Sequence, residues 1–521
     1  MIFVGGRIAN MVVGMAMIPL LIHSLGGDGF AAWAILLSCA AVFSELQLGM
    51  HSALVREVAV ADHSEPEAVS RVWSSAAAFL MAIYAAVLPL AALASRPTGE
   101  WLRLPEVGSW HPGTAILLVF VCVATRSVLM TGAFALFAAA RFRPAAVLSL
   151  GQAFVSNVAA TLVAWTTRDL AATLVAFWTA QIVIVGAGFA FASGGGWRPR
   201  LGRVDVALIR RLINYGVRVQ LSEWAQIINF QFDKFVIVRV LGLFPAARYE
   251  VANRSVLALR SIPSSGMDTF LPVATRDTLG HDTAPRRMTI LAVYGVVLFL
   301  AAPLAVSPVF LYAWVGEMGY VSRFVFAYLA LGAAANLLAL PLAALTQAAG
   351  RPEVQARAAA ASILLNIPLS LTLVQFWGVD GAALGSSLAM LLGTAVLLKE
   401  ARRALGPGIV KVVVTTLVRH WPLGAACLAW GVAVHVGFDR WFDAASIHVR
   451  YGLDMRARAG GAALALYAGC LLTLVLVRRK MGGLEPEERQ FVSRLAAVLR
   501  AGGAAPVPGR APEEPSPPFV P

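Results

Sequence analysis

Apolar runs recur along this chain, separated by short polar or basic connections, and each is near the about 20 residues an α-helix needs to cross a bilayer. About fourteen such spans are predicted, near residues 2–22, 29–50, 72–94, 113–138, 144–165, 170–192, 213–241, 248–272, 288–312, 322–347, 354–376, 380–400, 410–437 and 459–477. The runs lack the alternation that marks barrel strands, so helices that satisfy their own backbone are expected throughout. The first span has no basic stretch before it and no small-residue cleavage site after it, so an uncleaved helix is expected there. Its abrupt start leaves open that a few residues are missing upstream.

Two neighbouring spans break the apolar rule. Residues 213–241 hold Arg218, Glu223, Asp233, Lys234 and Arg239, and residues 248–272 hold Arg248, Glu250, Arg254, Arg260 and Asp268. An ionisable side chain in hydrocarbon costs about 2.5–3.5 kcal/mol even on a lenient scale, so such groups face a protein interior or a watery cavity and mark a pathway. On the seventh span Ser222, Gln226, Asn229 and Asp233 share one helical face, flanked by Glu223 and Phe230. On the eighth, Glu250, Asn253, Arg260 and Ser264 share a face, with Arg254 and Asp268 at its border. The two stripes can line a cavity, or their charges can pair with each other, as Asp233 with Arg254. Cations outnumber acids on the pair, which argues against full cancellation. Arg239 and Arg248 are expected at the outer interface, where long side chains snorkel.

The first half carries fewer charges. Arg7 and Asn10 share a face of the first span, Glu45 and Gln47 lie near the inner end of the second, and Arg126 interrupts the fourth. For Arg126 the alternatives are a cavity-facing cation and a cation satisfied by Glu45 or a carbonyl.

Composition agrees with the pattern. Of 521 residues, 59% are hydrophobic and 13% charged, and the mean hydropathy is +0.74. A soluble domain is about 45–50% apolar and about 25% charged, so an all-α, polytopic membrane protein is expected. The net charge of +14 fits basic cytoplasmic loops. Nucleic acid is excluded as a partner because no soluble basic domain is present. With the N-terminus inside, Arg141, Arg143, Arg198, Arg200, Arg203, Arg210, Arg211 and the basic run Arg478, Arg479, Lys480 all fall on the cytoplasmic side. Fewer, such as Arg96, Arg103 and Arg168, fall outside. Both ends are therefore expected in the cytoplasm.

Enzyme signatures are missing from the sequence. The eight histidines form no metal-like pair on one face. Cys39, Cys122, Cys427 and Cys470 sit in apolar runs without metal or disulfide spacing and read as small buried hydrophobes. No phosphate-cradling Gly-Lys-Ser/Thr loop is present, so energy must come from an ion gradient, the membrane potential or substrate flux. Neither a metal nor a cofactor is expected.

The two halves resemble each other. PLLIHSLGGDGFAAW (19–33) aligns with FVIVRVLGLFPAARY (235–249), superposing Gly26 on Gly242 and Trp33 on Tyr249. Residues 137–163 align with 346–374, superposing Asn157 on Asn366. The expected architecture is two six-helix lobes related as parallel repeats plus two C-terminal helices, and parallel repeats place a transport site at their interface. The divisions are an N-terminal lobe (1–192), a cytoplasmic linker (193–212), a C-terminal lobe (213–401), two added spans (402–480) and a cytoplasmic tail (481–521). A short amphipathic helix is expected at 484–500 and disorder over 501–521. A cationic, water-filled chamber suits a large anionic head group, and Arg suits phosphate through bidentate hydrogen bonds.

Four segments carry a family resemblance: R-x-x-N-x-x-x-G…PLLI-x-x-LG-x-x-x-FA-x-W at the N-terminus, LGMHSALVREVA (48–59), DKFVIVRVLGLFPAARYEVANR (233–254) and AAGRP…GVDGAALGSSLA (348–389). In order and spacing they resemble the polysaccharide-transporter branch of the multidrug/oligosaccharidyl-lipid/polysaccharide exporter superfamily, which includes Wzx-type O-antigen and exopolysaccharide flippases. The resemblance covers roughly residues 1–400. It implies a two-lobed bundle that alternates between inward and outward openings in the bacterial inner membrane. Such a bundle moves undecaprenyl-pyrophosphate-linked oligosaccharides to the periplasmic leaflet, with lumen cations meeting the pyrophosphate or acidic sugars.

Asp233, Asn253 and Arg254 match that family's seventh–eighth-span motif, and Arg7 its first-span basic position. Arg126, Glu223, Lys234 and Arg260 stand on the residue pattern alone. The expected partners are a lipid-linked glycan, membrane lipids, H+ or Na+ as coupling ion, and a polysaccharide polymerase or assembly complex. A cation-coupled multidrug exporter would favour a more acidic, aromatic lumen. A membrane glycosyltransferase or polymerase would need a large outside loop with catalytic groups. The longest outside connection here, 438–458, lies late and outside the repeat.

Overall fold

The computed structural model describes residues 2–60, 66–139, 141–194, 199–268, 283–349, 351, 353–445 and 453–480. Among them β pairing is limited to a lone bridge between Val107 and Trp110, and helices make up most of the rest. The first half comprises α1 (Ile2–Ser44), α2 (Met50–Val60), α3 (Pro66–Trp101), α4 (Pro112–Ala138), α5 (Phe142–Thr167) and α6 (Leu170–Gly194). α7 (Val206–Leu241) and α8 (Leu243–Asp268) follow. Beyond them lie Thr283–Val296, whose helix continues through a π-turn to Ala305, Ser307–Val315, Glu317–Val321, Arg323–Ala348, Glu353–Leu405, Pro407–Arg419, Trp421–Ala445 and Leu453–Lys480.

Ten helices among the described residues are long and apolar enough to cross a membrane. Two of these are double: α1 breaks at Gly26, and Glu353–Leu405 breaks at Trp377 and Gly378. The charged α7 and α8 are not among the ten. Counted this way, every predicted span has a helical counterpart. The hydropathy pattern misses local breaks. The second span leaves α-helical geometry at Glu45–Gln47, passes through left-handed Leu48 (φ 52°) and Gly49 (φ 66°), and resumes as α2.

Caps set several helix starts. Asp205 Oδ1 accepts from Ala207 N at 2.8 Å and Leu208 N at 3.2 Å, so α7 begins inside the stretch expected as linker. The rest of that stretch is tied to α3: Arg200 N and Asp205 N donate to Ser74 and Ser75 at 2.9 and 3.0 Å. Arg203 pairs with Glu67 at 2.8 Å. The expected amphipathic helix (484–500) and tail (501–521) lie outside the described residues.

The glycines superposed by the internal alignment share one backbone conformation. Gly26 has φ 74° and ψ 175°, and Gly242, which ends α7, has φ 98° and ψ −173°. Both sit in the left-handed half of φ, where a Cβ is strained. Their aligned partners Trp33 and Tyr249 are both sealed in the same core. Trp33 packs edge-on against Phe177 at 5.1 Å, while Tyr249 turns its hydroxyl to Asp233.

Lipid is as apolar as leucine, so close helix contact here rests on small residues and on satisfied polar groups. The fully buried Ala31, Ala32, Ala246, Ala247, Ala252, Ala382 and Ala383 supply that contact. All four cysteines are free and buried.

Candidate functional site

Asp233 and Lys234 are consecutive residues of α7, so they point in different directions, and the structure gives each its own company. Asp233 faces the interior of the second half. Tyr249 Oη donates to its Oδ2 at 2.8 Å, Ser370 Oγ to its Oδ1 at 2.6 Å, and Ser386 Oγ to Oδ2. Ser370 Oγ also lies 3.1 Å from Asn366 Oδ1. Ser370 and Ser386 stand equally far from the break at Gly378, so the two arms of Glu353–Leu405 fold back to meet on one carboxylate. All five residues are buried.

Lys234 faces the other way. Its Nζ lies 2.7 Å from Glu250 Oε2 and 3.4 Å from Ser38 Oγ of α1. Ser38 donates its own proton to Ala34 O at 2.9 Å, which leaves its lone pairs for the ammonium. Glu250 Oε1 takes Arg254 Nε at 2.5 Å. The chain Ser38–Lys234–Glu250–Arg254 thus joins the first half to the second. Lys234 and Glu250 are nearly sealed, whereas the Arg254 side chain remains 33% exposed.

Asn253 and Arg260 lie on the Tyr249 side of α8. With Tyr249, Leu329, Ser386 and Met390 they line a small cavity inside the second half. Arg260 Nη2 donates to Asn336 Oδ1 at 2.5 Å.

The face read from spacing joined Glu250 with Asn253 and Arg260. The structure divides them, because α8 packs against α1 on one side and Arg323–Ala348 on another. The pairing of Asp233 with Arg254 is replaced by hydroxyls around Asp233 and by Glu250 beside Arg254. The side chains of Arg7 and Glu223 lie outside the described set, as do those of Ser222, Gln226 and Asn229.

Arg126 belongs to a separate group in the first half. With its amide oxygen turned toward the guanidinium, Gln152 accepts from Arg126 Nε at 2.7 Å and Nη2 at 3.2 Å. Gln152 also lies 2.7 Å from Gln181. Glu45, one expected partner of Arg126, bonds Gln220 of α7 instead. Sequence reasoning missed Ser38, Gln152, Asn336, Ser370 and Ser386 as partners, since a lone hydroxyl or amide in an Ala-rich span carries no spacing signal.

The family model described as "Polysaccharide biosynthesis protein" matches residues 1–276. The fold is similar to a structure titled "Lipid II flippase MurJ, inward closed conformation", with TM-score 0.66 and 12% identity over 92% of this chain and 99% of that one. It is also similar to an inward-facing multidrug resistance MATE family transporter of the MOP superfamily, with TM-score 0.57 and 11% identity over 76% of this chain and 94% of that one. The eukaryotic MATE transporter AtDTX14 gives TM-score 0.53 and 15% identity over 80% and 97%. At these identities the likeness concerns the fold. No curated protein sequence matches the chain.

Proposed function

Since the chain belongs to the polysaccharide biosynthesis protein family, we propose that it flips an undecaprenyl-pyrophosphate-linked oligosaccharide from the cytoplasmic to the periplasmic leaflet by alternating access. The observation that carries this reading is the buried ionic chain Lys234–Glu250–Arg254, which meets Ser38 of the other half. Charges this deep in apolar helices are costly unless they serve a pathway. They stand where two halves that rock against each other would enclose a head group. Arg254, the most exposed member, is the first contact for the pyrophosphate, and Arg260 and Arg126 supply further cationic positions.

Asp233 serves the coupling ion, H+ or Na+. A sealed carboxylate that accepts from the hydroxyls of Tyr249, Ser370 and Ser386 sits among oxygen atoms, which suits a hard cation or a proton rather than an anionic glycan. In this reading the lobes are 1–192 and 213–401, the membrane is the bacterial cytoplasmic membrane with both termini inside, and a polysaccharide polymerase receives the product.

The test is surface-glycan export in cells carrying Arg254→Ala or Arg260→Ala, at matched protein level. The expected result is loss of export with accumulation of the lipid-linked precursor. Normal export by both variants would overturn the chamber assignment. Efflux of cationic drugs with unchanged glycan export would favour a multidrug exporter.

A further inference from the structure

Glu250 is the one acid in a chain of cations, and its position is hard to explain as packing. Its side chain is 2% exposed, yet both oxygens are held by positive groups, Oε2 by Lys234 and Oε1 by Arg254. A diphosphate needs the same donors: a point charge from Lys and a planar fork from Arg. Glu250 takes Arg254 at Nε, so the guanidinium edge formed by its two Nη atoms is not used by that carboxylate. An anion arriving at Arg254 therefore meets an open guanidinium edge and one occupied seat.

We infer that Glu250 is an exchangeable internal counter-anion that occupies the cation pair when the chamber is empty and gives it up to the diphosphate of the substrate. This rests on the substrate class proposed above. A carboxylate and a diphosphate cannot share Lys234 and Arg254 at these distances without like-charge repulsion in a medium of low dielectric. Their occupancy is mutually exclusive. In the empty protein the exchange leaves no unpaired buried cation, the state that is most costly inside a protein. After transport the returning carboxylate displaces the product. Neutral or singly charged head groups compete poorly for two cations, so Glu250 acts as a positioning residue that sets a charge threshold for cargo.

The experiment measures binding of inorganic pyrophosphate to the full-length protein in nanodiscs, wild type against Glu250→Gln, with glycan flipping measured in parallel. The expected result is about tenfold tighter pyrophosphate binding in E250Q, as for removal of one competing charge, with slower turnover and a lower KM. A role confined to packing would leave the affinity of the folded variant unchanged or weaken it, and that result overturns the inference. If E250Q does not fold, Glu250→Asp keeps the charge but shortens the reach. It should still tighten binding, and unchanged or weaker binding overturns the inference equally. Wild type that binds pyrophosphate while the variants gain nothing sinks the exchange alone. Failure of wild type and variants alike to bind pyrophosphate overturns the substrate class and the exchange together.

Discussion

Lys234 Nζ and Glu250 Oε2 lie 2.7 Å apart, on consecutive helices, with side chains 6% and 2% exposed. Breaking such a pair from one side leaves an uncompensated charge, which costs about 3–5 kcal/mol in buried settings. Arg254 shares Glu250 and softens the loss when Lys234 is removed. Lys234→Met should therefore lower stability by about 2–4 kcal/mol. The double variant with Glu250→Gln should recover part of it, with a coupling of at least about 1 kcal/mol. Thermal unfolding of the four proteins in detergent measures this, and strictly additive losses would count against the pair.

Asp233 should separate coupling from folding. Asp233→Asn keeps the shape, and its amide can still accept from Tyr249 or Ser370. Stability should fall by about 1–3 kcal/mol, the cost of a disturbed buried hydrogen bond, while response to an imposed H+ or Na+ gradient disappears. Tyr249→Phe removes one donor and should give a milder loss of the same kind. Flipping in proteoliposomes with and without a gradient decides it: a D233N protein that still responds to the gradient disproves the role.

The break before α2 meets α7 at Gly49 and Gly216. A Cβ on Gly49 would fall 2.2 Å from Gly216 O, and one on Gly216 would fall 2.4 Å from Leu48 O. Neither contact is tolerable, so Gly216→Ala should force α7 away from the break before α2 and cost about 1–3 kcal/mol as overpacking. A cysteine placed at Gln220, buried in this state beside Glu45, should become reactive to a membrane-impermeant thiol reagent in the G216A background. Unchanged labelling would show that this junction does not close the chamber.

Gly26 and Gly242 have open space around the missing Cβ, so alanine at either tests backbone conformation alone. Each should destabilise by about 1 kcal/mol. Gly14, also without a neighbour within 4 Å but helical, should gain up to about 1 kcal/mol from the same change. Equal effects at all three positions would be inconsistent with the strained turns.

The spans and the two glycine turns were readable because hydropathy and turn chemistry are local properties. The charged helices were also readable, because charges stand out in apolar runs. What the chain hid was direction. Spacing put Glu250 with Asn253 and Arg260, but α8 is packed on more than one side, and each side claims different residues. Ser370 and Ser386 look like the small residues that let helices approach. Only the fold-back at Gly378 shows that they converge on Asp233. Arg126 stood out as a cation in an apolar span, but its Gln152 partner lies on another helix and leaves no trace in the local sequence.

Asp233 with Tyr249 and Lys234 with Glu250 form two rungs one residue apart on the same pair of helices. Turning α7 about its axis to improve one rung must loosen the other. On the proposed function, gradient response and cargo handling would then be inherited as a single trait at this level of the bundle. A lineage that acquires a new glycan has little freedom at 233, 234, 249 and 250. Its adaptation should instead gather farther along α8, at 257 and 260, beyond the residues bonded to the linked rungs.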